Sequence, residues 1–176
     1  MTLLRAARYA GLGPASDGKV KATGIPLRDL HLAWRELWPL LEPAVRRTPD
    51  KPDVLARLIA RDAQLWAVYE GDQPIAAIVT QIVLRRPLGA MEGEALRSAA
   101  GAKEGAEKTC RLWLIGGSRV REWADELLIK LELWARSLGC VALWGSGREG
   151  WDRIVERMGG TSIGSIAGFP AWERRL

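Results

Sequence analysis

The sequence predicts an α/β fold, a mixed sheet with helices on its faces, and three observations predict it. Two strand-like runs, Leu65–Tyr69 and Ile75–Leu84, are joined by Glu70-Gly71-Asp72-Gln73, which reads as a hairpin. A short apolar run, Cys110–Ile115, is followed by a strongly amphipathic helical segment, Arg121–Leu138, and then by a second short run, Val141–Trp144. That order is a βαβ unit, whose two strands lie parallel. The N-terminal third, in contrast, carries helical periodicity only.

Taken in order, residues 1–24 are rich in glycine and small or basic side chains and are expected to form a flexible arm. A single domain is expected over residues 25–176. Leu27–Val45 reads as a helix, with Leu30, Trp34, Leu37 and Leu41 as its stripe, kinked or split by Pro39 and Pro43. Residues 50–63 read as a second helix, with Pro52 in its first turn and Val54, Leu55, Leu58 and Ile59 as its buried face. After the hairpin, residues 87–109 are small, polar and punctuated by glycine, and are expected to be a mobile insertion with a helical turn near Ala95–Ala100. The helix Arg121–Leu138 presents Leu127, Leu128, Leu131, Trp134, Ala135 and Leu138 on one face, and Gly139 ends it. Glu149–Met158 reads as a short helix stopped by Gly159-Gly160. The tail alternates loosely and closes on a strand over Phe169–Trp172. No internal repeat and no linker interrupts this order.

Composition narrows the function. The chain has 176 residues, nearly half of them apolar, enough for a substantial core. No apolar run reaches the roughly 18–20 residues that cross a bilayer, and the apolar stretch at the start is too short for a signal peptide, so a cytoplasmic protein without membrane contact is expected. Cys110 and Cys140 are too few for a disulfide framework and read as reduced core thiols at the starts of neighbouring parallel strands. The single histidine, His31, lies in a helical pattern and excludes a His-rich metal site, so no metal is expected. A net charge of +5 permits an anionic partner, but the basic residues are scattered and form no nucleic-acid tail, so nucleic acid is the less favoured partner. Most of the nine tryptophans fall in helix stripes or strand runs and read as core.

The stretch GGSRVREWADELL, Gly116–Leu128, joins the strand Cys110–Ile115 to the strongest helix. A glycine turn opening a helix offers unpaired N–H groups and a positive dipole end to an anion. The segment LWLIGGSRVREWADELLIKLELWARSLGCVALWGSGREGWDRIVERMGG resembles the second half of the GNAT family of N-acyltransferases, and LWAVYEGDQPIAAIVTQIV resembles its central hairpin. The resemblance runs from about Leu27 to the C-terminus and is closest to small GNAT-like proteins of tailed phages and prophages. It implies a GNAT-like fold in which two parallel strands splay to admit the pantetheine arm of acetyl-CoA, with the pyrophosphate at the start of the next helix.

On that resemblance the cofactor-binding residues are Leu114, Ile115, Gly116, Gly117, Ser118, Arg119, Arg121 and Ala124. The family's loop, Gln/Arg-x-x-Gly-x-Gly/Ala, falls on Arg119–Ala124. Arg119 and Ala124 match, whereas Glu122 replaces a glycine and Trp123 adds bulk. Either Gly116, Gly117 and Ser118 form a shifted anion-binding turn with Arg119 and Arg121 as counter-ions, or Glu122 merely caps the helix dipole and no cofactor binds. Many family members use a tyrosine near the last helix as acid. Trp151 stands in that helix here, and the tyrosines are Tyr9 and Tyr69. Glu70, Glu92 and Glu94 are candidate bases, and no catalytic residue is assigned. The resemblance implies an N-acetyltransferase acting on a primary amine. Its alternative is a catalytically silent GNAT-like protein working through a protein partner, in a host cytoplasm if phage-encoded.

Overall fold

A computed structural model describes residues 20–48, 51–85, 106–148 and 150–176. Seven strands form one mixed sheet in the order β1-β2-β3-β4-β5-β7-β6, so the predicted fold class is the observed one. The described residues divide into two compact units, one holding those from Val20 to Val79 with Leu114–Lys130, the other those within Thr80–Trp113 with Leu131–Leu176.

In the first unit, strand β1, Val20–Gly24, pairs antiparallel with β2, Gln64–Glu70. This corrects the flexible arm expected over 1–24 at its last residues; residues 1–19 lie outside the described chain. The pairing brings Gly24 beside the Trp66 ring, and Gln64 Nε2 donates to Ile25 O at 2.8 Å, fixing the exit of β1. Strand β3, Gln73–Arg85, follows across a turn in which Gly71 takes φ +58°. Leu65–Tyr69 and Ala76–Gln81 are buried without alternation, as central strands covered on both faces are.

A 3-10 turn over Leu27–Asp29 leads into α1, Leu30–Arg47. Pro39 and Pro43 lie inside α1, yet the helix runs unbroken, which corrects the expected split. Both prolines sit on its exposed side, where water can satisfy a carbonyl that loses its N–H partner. The opposite stripe, Leu30, Ala33, Leu37, Leu41 and Val45, is fully packed and holds the turns in line. Trp34, expected in that stripe, lies at its flank with its ring 5.0 Å from that of Trp38. Helix α2 is only Val54–Ile59, shorter than the 50–63 expected. Asp53 caps it by accepting from Ala56 N at 2.9 Å, and Ile59 is exposed rather than buried.

Strand β4 runs over Glu107–Gly117, longer than the expected Cys110–Ile115. Glu107–Thr109, expected as the end of an insertion, begin this strand; residues 86–105 lie outside the described chain. Helix α3, Val120–Ser137, ends as expected at Gly139, which takes φ +76°. Gly139 N bonds Arg136 O and Cys140 N bonds Ala135 O, both at 2.9 Å, the paired closure of a left-handed helix end. Its buried residues are Trp123, Ala124, Leu127, Leu131 and Ala135, whereas Leu138 is exposed.

In the second unit, β5, Ala142–Ser146, pairs parallel with β4 over Thr109↔Ala142 to Leu112↔Gly145, completing the predicted βαβ unit. Helix α4, Trp151–Arg157, is shorter than the expected Glu149–Met158. The tail is a hairpin of β6, Thr161–Ile166, and β7, Phe169–Arg175, rather than one closing strand. A bulge between Ser162 and Ser165 disrupts β6, and its turn uses Ala167 and Gly168, both at positive φ. Cys110 and Cys140 are buried and free, and burial pushes both thiols up. Cys140 precedes β5 instead of beginning it. Among the described residues no helix is long and apolar enough to cross a membrane.

Candidate functional site

The site predicted from sequence begins on β4. Its register with β5 covers Thr109–Leu112, and the strand then continues through Trp113–Gly117. Leu114 is buried and Ile115 half-buried in that continuation.

The two glycines that follow are required by the fold. A Cβ on Gly116 would lie 1.9 Å from Leu40 O, so the backbone of α1 rests directly on this strand. Gly117 takes φ +120°, and a Cβ there would lie 2.4 Å from Ile75 O in β3. Ser118 N donates to Ile75 O at 3.1 Å, which commits one loop N–H to β3. The Trp123 indole N–H, expected only as bulk, donates to Ser118 O at 2.7 Å and ties the helix back to the loop. Trp123 and Ala124 are buried.

Arg119 stands immediately before α3 at φ +56°, a left-handed conformation uncommon for a side-chain-bearing residue. Its Nη1 and Nη2 donate to the Glu70 carboxylate, each at 2.7 Å. Nε donates to Glu122 Oε1 at 2.9 Å, and Nη2 also reaches Glu122 Oε2. One guanidinium is thus held by two carboxylates, one from the end of β2 and one from the first turn of α3. Hydrogen bonds from Arg119 hold both carboxyls below the usual carboxylate range, and the two carboxylates raise the guanidinium in turn. Arg121 is exposed on the same turn, and no ion pair involves it among the described residues.

Neither a protein-family model nor a curated protein matches the sequence. By structure the chain is similar to a mutant agmatine N-acetyltransferase in its apo form, with a TM-score of 0.60 and 13% identity over 90% of this chain and 100% of that one. It is similar to FeeM, an N-acyl amino acid synthase from uncultured soil microbes, with a TM-score of 0.58 and 15% identity over 90% of each chain. It is also similar to PaiA N-acetyltransferase from Thermoplasma acidophilum in complex with coenzyme A, with a TM-score of 0.53 and 8% identity over 90% of this chain and 99% of that one.

The chain has the GNAT acetyltransferase fold. At these identities the likeness establishes the fold, and the activity must be argued from the site. Against the GNAT loop pattern, Arg119 and Ala124 stand in matching positions, and Glu122 occupies a glycine position with its carboxylate turned back onto Arg119. Sequence reading brought Glu70 forward only as a candidate base; its pairing with Arg119, 49 residues away, leaves no local signal. Tyr69 is buried in β2, and Trp151 is half-buried beside Gly147. Tyr9, Glu92 and Glu94 lie outside the described residues.

Proposed function

We propose that this chain is an N-acyltransferase of GNAT type that moves an acetyl group from acetyl-CoA to a primary amine in the cytoplasm. One observation carries the reading: β4 stays extended through Trp113–Gly117 beyond its β5 register and passes directly into α3. A strand edge of this kind suits an extended arm bearing amides, because backbone groups can pair with it as a further strand would. Pantetheine is such an arm. Leu114 and Ile115 would flank it, and the first-turn N–H groups of α3 would face its phosphate end. The bound thioester supplies an acyl carbon open to attack by the amine.

The fit is good for the arm and poorer for the phosphates. Gly116 and Gly117 are occupied by fold contacts, Ser118 N is bonded to β3, and Arg119 is already paired. That last point favours a second reading, a GNAT-fold protein that binds another protein and has no acyl chemistry. Calorimetric titration with acetyl-CoA and with CoA separates the two. Micromolar binding, with a rise in melting temperature by mass action, supports the transferase. No heat and no shift at millimolar ligand would reject it in favour of the binding protein.

A further inference from the structure

We infer that Glu70 and Glu122 set the donor specificity of this chain: by occupying Arg119 they leave the nucleotide phosphates of an acyl donor little to bind, so the donor is recognised by its acyl-pantetheine arm. The inference rests on the transferase reading above and adds residues that the GNAT loop pattern does not contain.

The argument begins with donor geometry. A guanidinium has five N–H donors, and it binds a phosphate strongly when two of them lie along one edge. Here Nη1 and Nη2 together face Glu70, while Nε and Nη2 face Glu122. Both paired edges are therefore taken, and no second edge remains for a phosphate. Charge adds to this. Arg119 and Arg121 carry two positive charges at the loop, and Glu70 and Glu122 cancel them. A diphosphate approaching the first turn of α3 must displace one carboxylate and then sit beside it.

The carboxylates are well placed to resist displacement. Glu70 ends β2 and is anchored by that strand's pairing with β1, where Val20 stands opposite Glu70. Glu122 lies in the first turn of α3, where the helix dipole favours a negative charge. Arg119 itself is fixed by its backbone conformation between the Ser118–Ile75 hydrogen bond and the start of the helix. Among the described residues of this loop Arg121 remains for a phosphate, which is one contact where a nucleotide diphosphate has several charges to satisfy.

The test compares two donors, acetyl-CoA and S-acetylpantetheine, on the wild-type chain and on Glu70→Gln/Glu122→Gln. Glutamine keeps the side-chain shape and removes the charge. The double variant is expected to bind acetyl-CoA about tenfold more tightly, the gain of one charge-assisted bidentate contact, with S-acetylpantetheine unchanged. Adding Arg119→Ala to the double variant is expected to abolish that gain, which distinguishes a freed guanidinium from a general change in charge. Equal acetyl-CoA affinity in wild type and double variant would overturn the inference and leave the transferase reading standing. A parallel gain for S-acetylpantetheine would overturn it as well, because the arm carries no phosphate. Failure of both proteins to bind either donor would overturn both the inference and the reading.

Discussion

Arg119 in the first unit and Arg85 in the second are both arginines held by glutamates, and their surroundings differ in almost every other respect. Arg119 is 40% exposed and its partners Glu70 and Glu122 are 36% and 48% exposed. Arg85 is 9% exposed, and its partner Glu173 is 15% exposed. Arg85 also lies 4.8 Å over the ring of Trp144, and Arg111 lies 5.4 Å from the same ring. Trp144 is completely buried, and its indole N–H donates to Thr109 Oγ1, which in turn donates to Val83 O. Arg175 reaches Glu107 with two bonds, at 2.5 and 2.8 Å, and lies 3.6 Å from Glu173.

The difference separates two uses of the same ion pair. Water screens an exposed pair, so its effect on stability is small and its main consequence is the local field an incoming charge meets. A buried pair is poorly screened, and removing one partner strands the other without water. Desolvation already lowers Arg85 below the usual guanidinium value, against the opposing pull of Glu107. The Arg85 cluster therefore belongs to the fold and the Arg119 cluster to the site.

Substitutions can break this contrast, and the largest effect is expected at Trp144. Trp144→Ala removes a buried indole, its hydrogen bond to Thr109 and the ring under two guanidinium groups, at about 3–5 kcal/mol in denaturant unfolding. A loss near zero would mean the second cluster is not structural. Glu173→Ala leaves Arg85 without its carboxylate and is expected to cost about 3 kcal/mol by the same measurement. Gly116→Ala sharpens the contrast from the other side. It should cost about 2–3 kcal/mol by forcing α1 off β4, although the loop's charges contribute little to stability.

Acid titration comes next in size. Glu107, Glu70 and Glu122 bind protons less readily when folded than when unfolded, each chiefly through its arginine hydrogen bond. Their stabilisation is complete above the ordinary carboxylate range and is lost as pH falls through it toward the lowered folded values. Unfolding midpoints should therefore stay flat from neutral pH to about 5 and then decline. Glu107→Gln should flatten that decline. The smallest effect is expected for Arg119→Ala, whose melting temperature should fall only slightly at low salt, as exposed and screened pairs allow, and should match the wild type at high salt. A large drop would return Arg119 to the fold and undo the comparison.

Several elements are legible in the sequence itself. The hairpin at Gly71, the βαβ order and the end of α3 at Gly139 are written in local patterns of apolar period and glycine. Strand β6 was hidden because its bulge breaks the alternation and its turn is Ala-Gly rather than a stronger turn pair. Strand β1 was hidden because Val20–Gly24 gains its extended form only by pairing with β2.

The sequence alone therefore determined the fold class, the order of the central elements and the strand–glycine–helix frame of the site, because each depends on neighbours a few residues apart. Tertiary structure decided what the frame's residues do. It set Gly116 against α1 and Gly117 against β3, and it carried Glu70 to Arg119 across 49 residues. Such meetings are fixed by strand order and helix packing, which bring distant residues together through the whole sheet and leave no periodic trace along the chain.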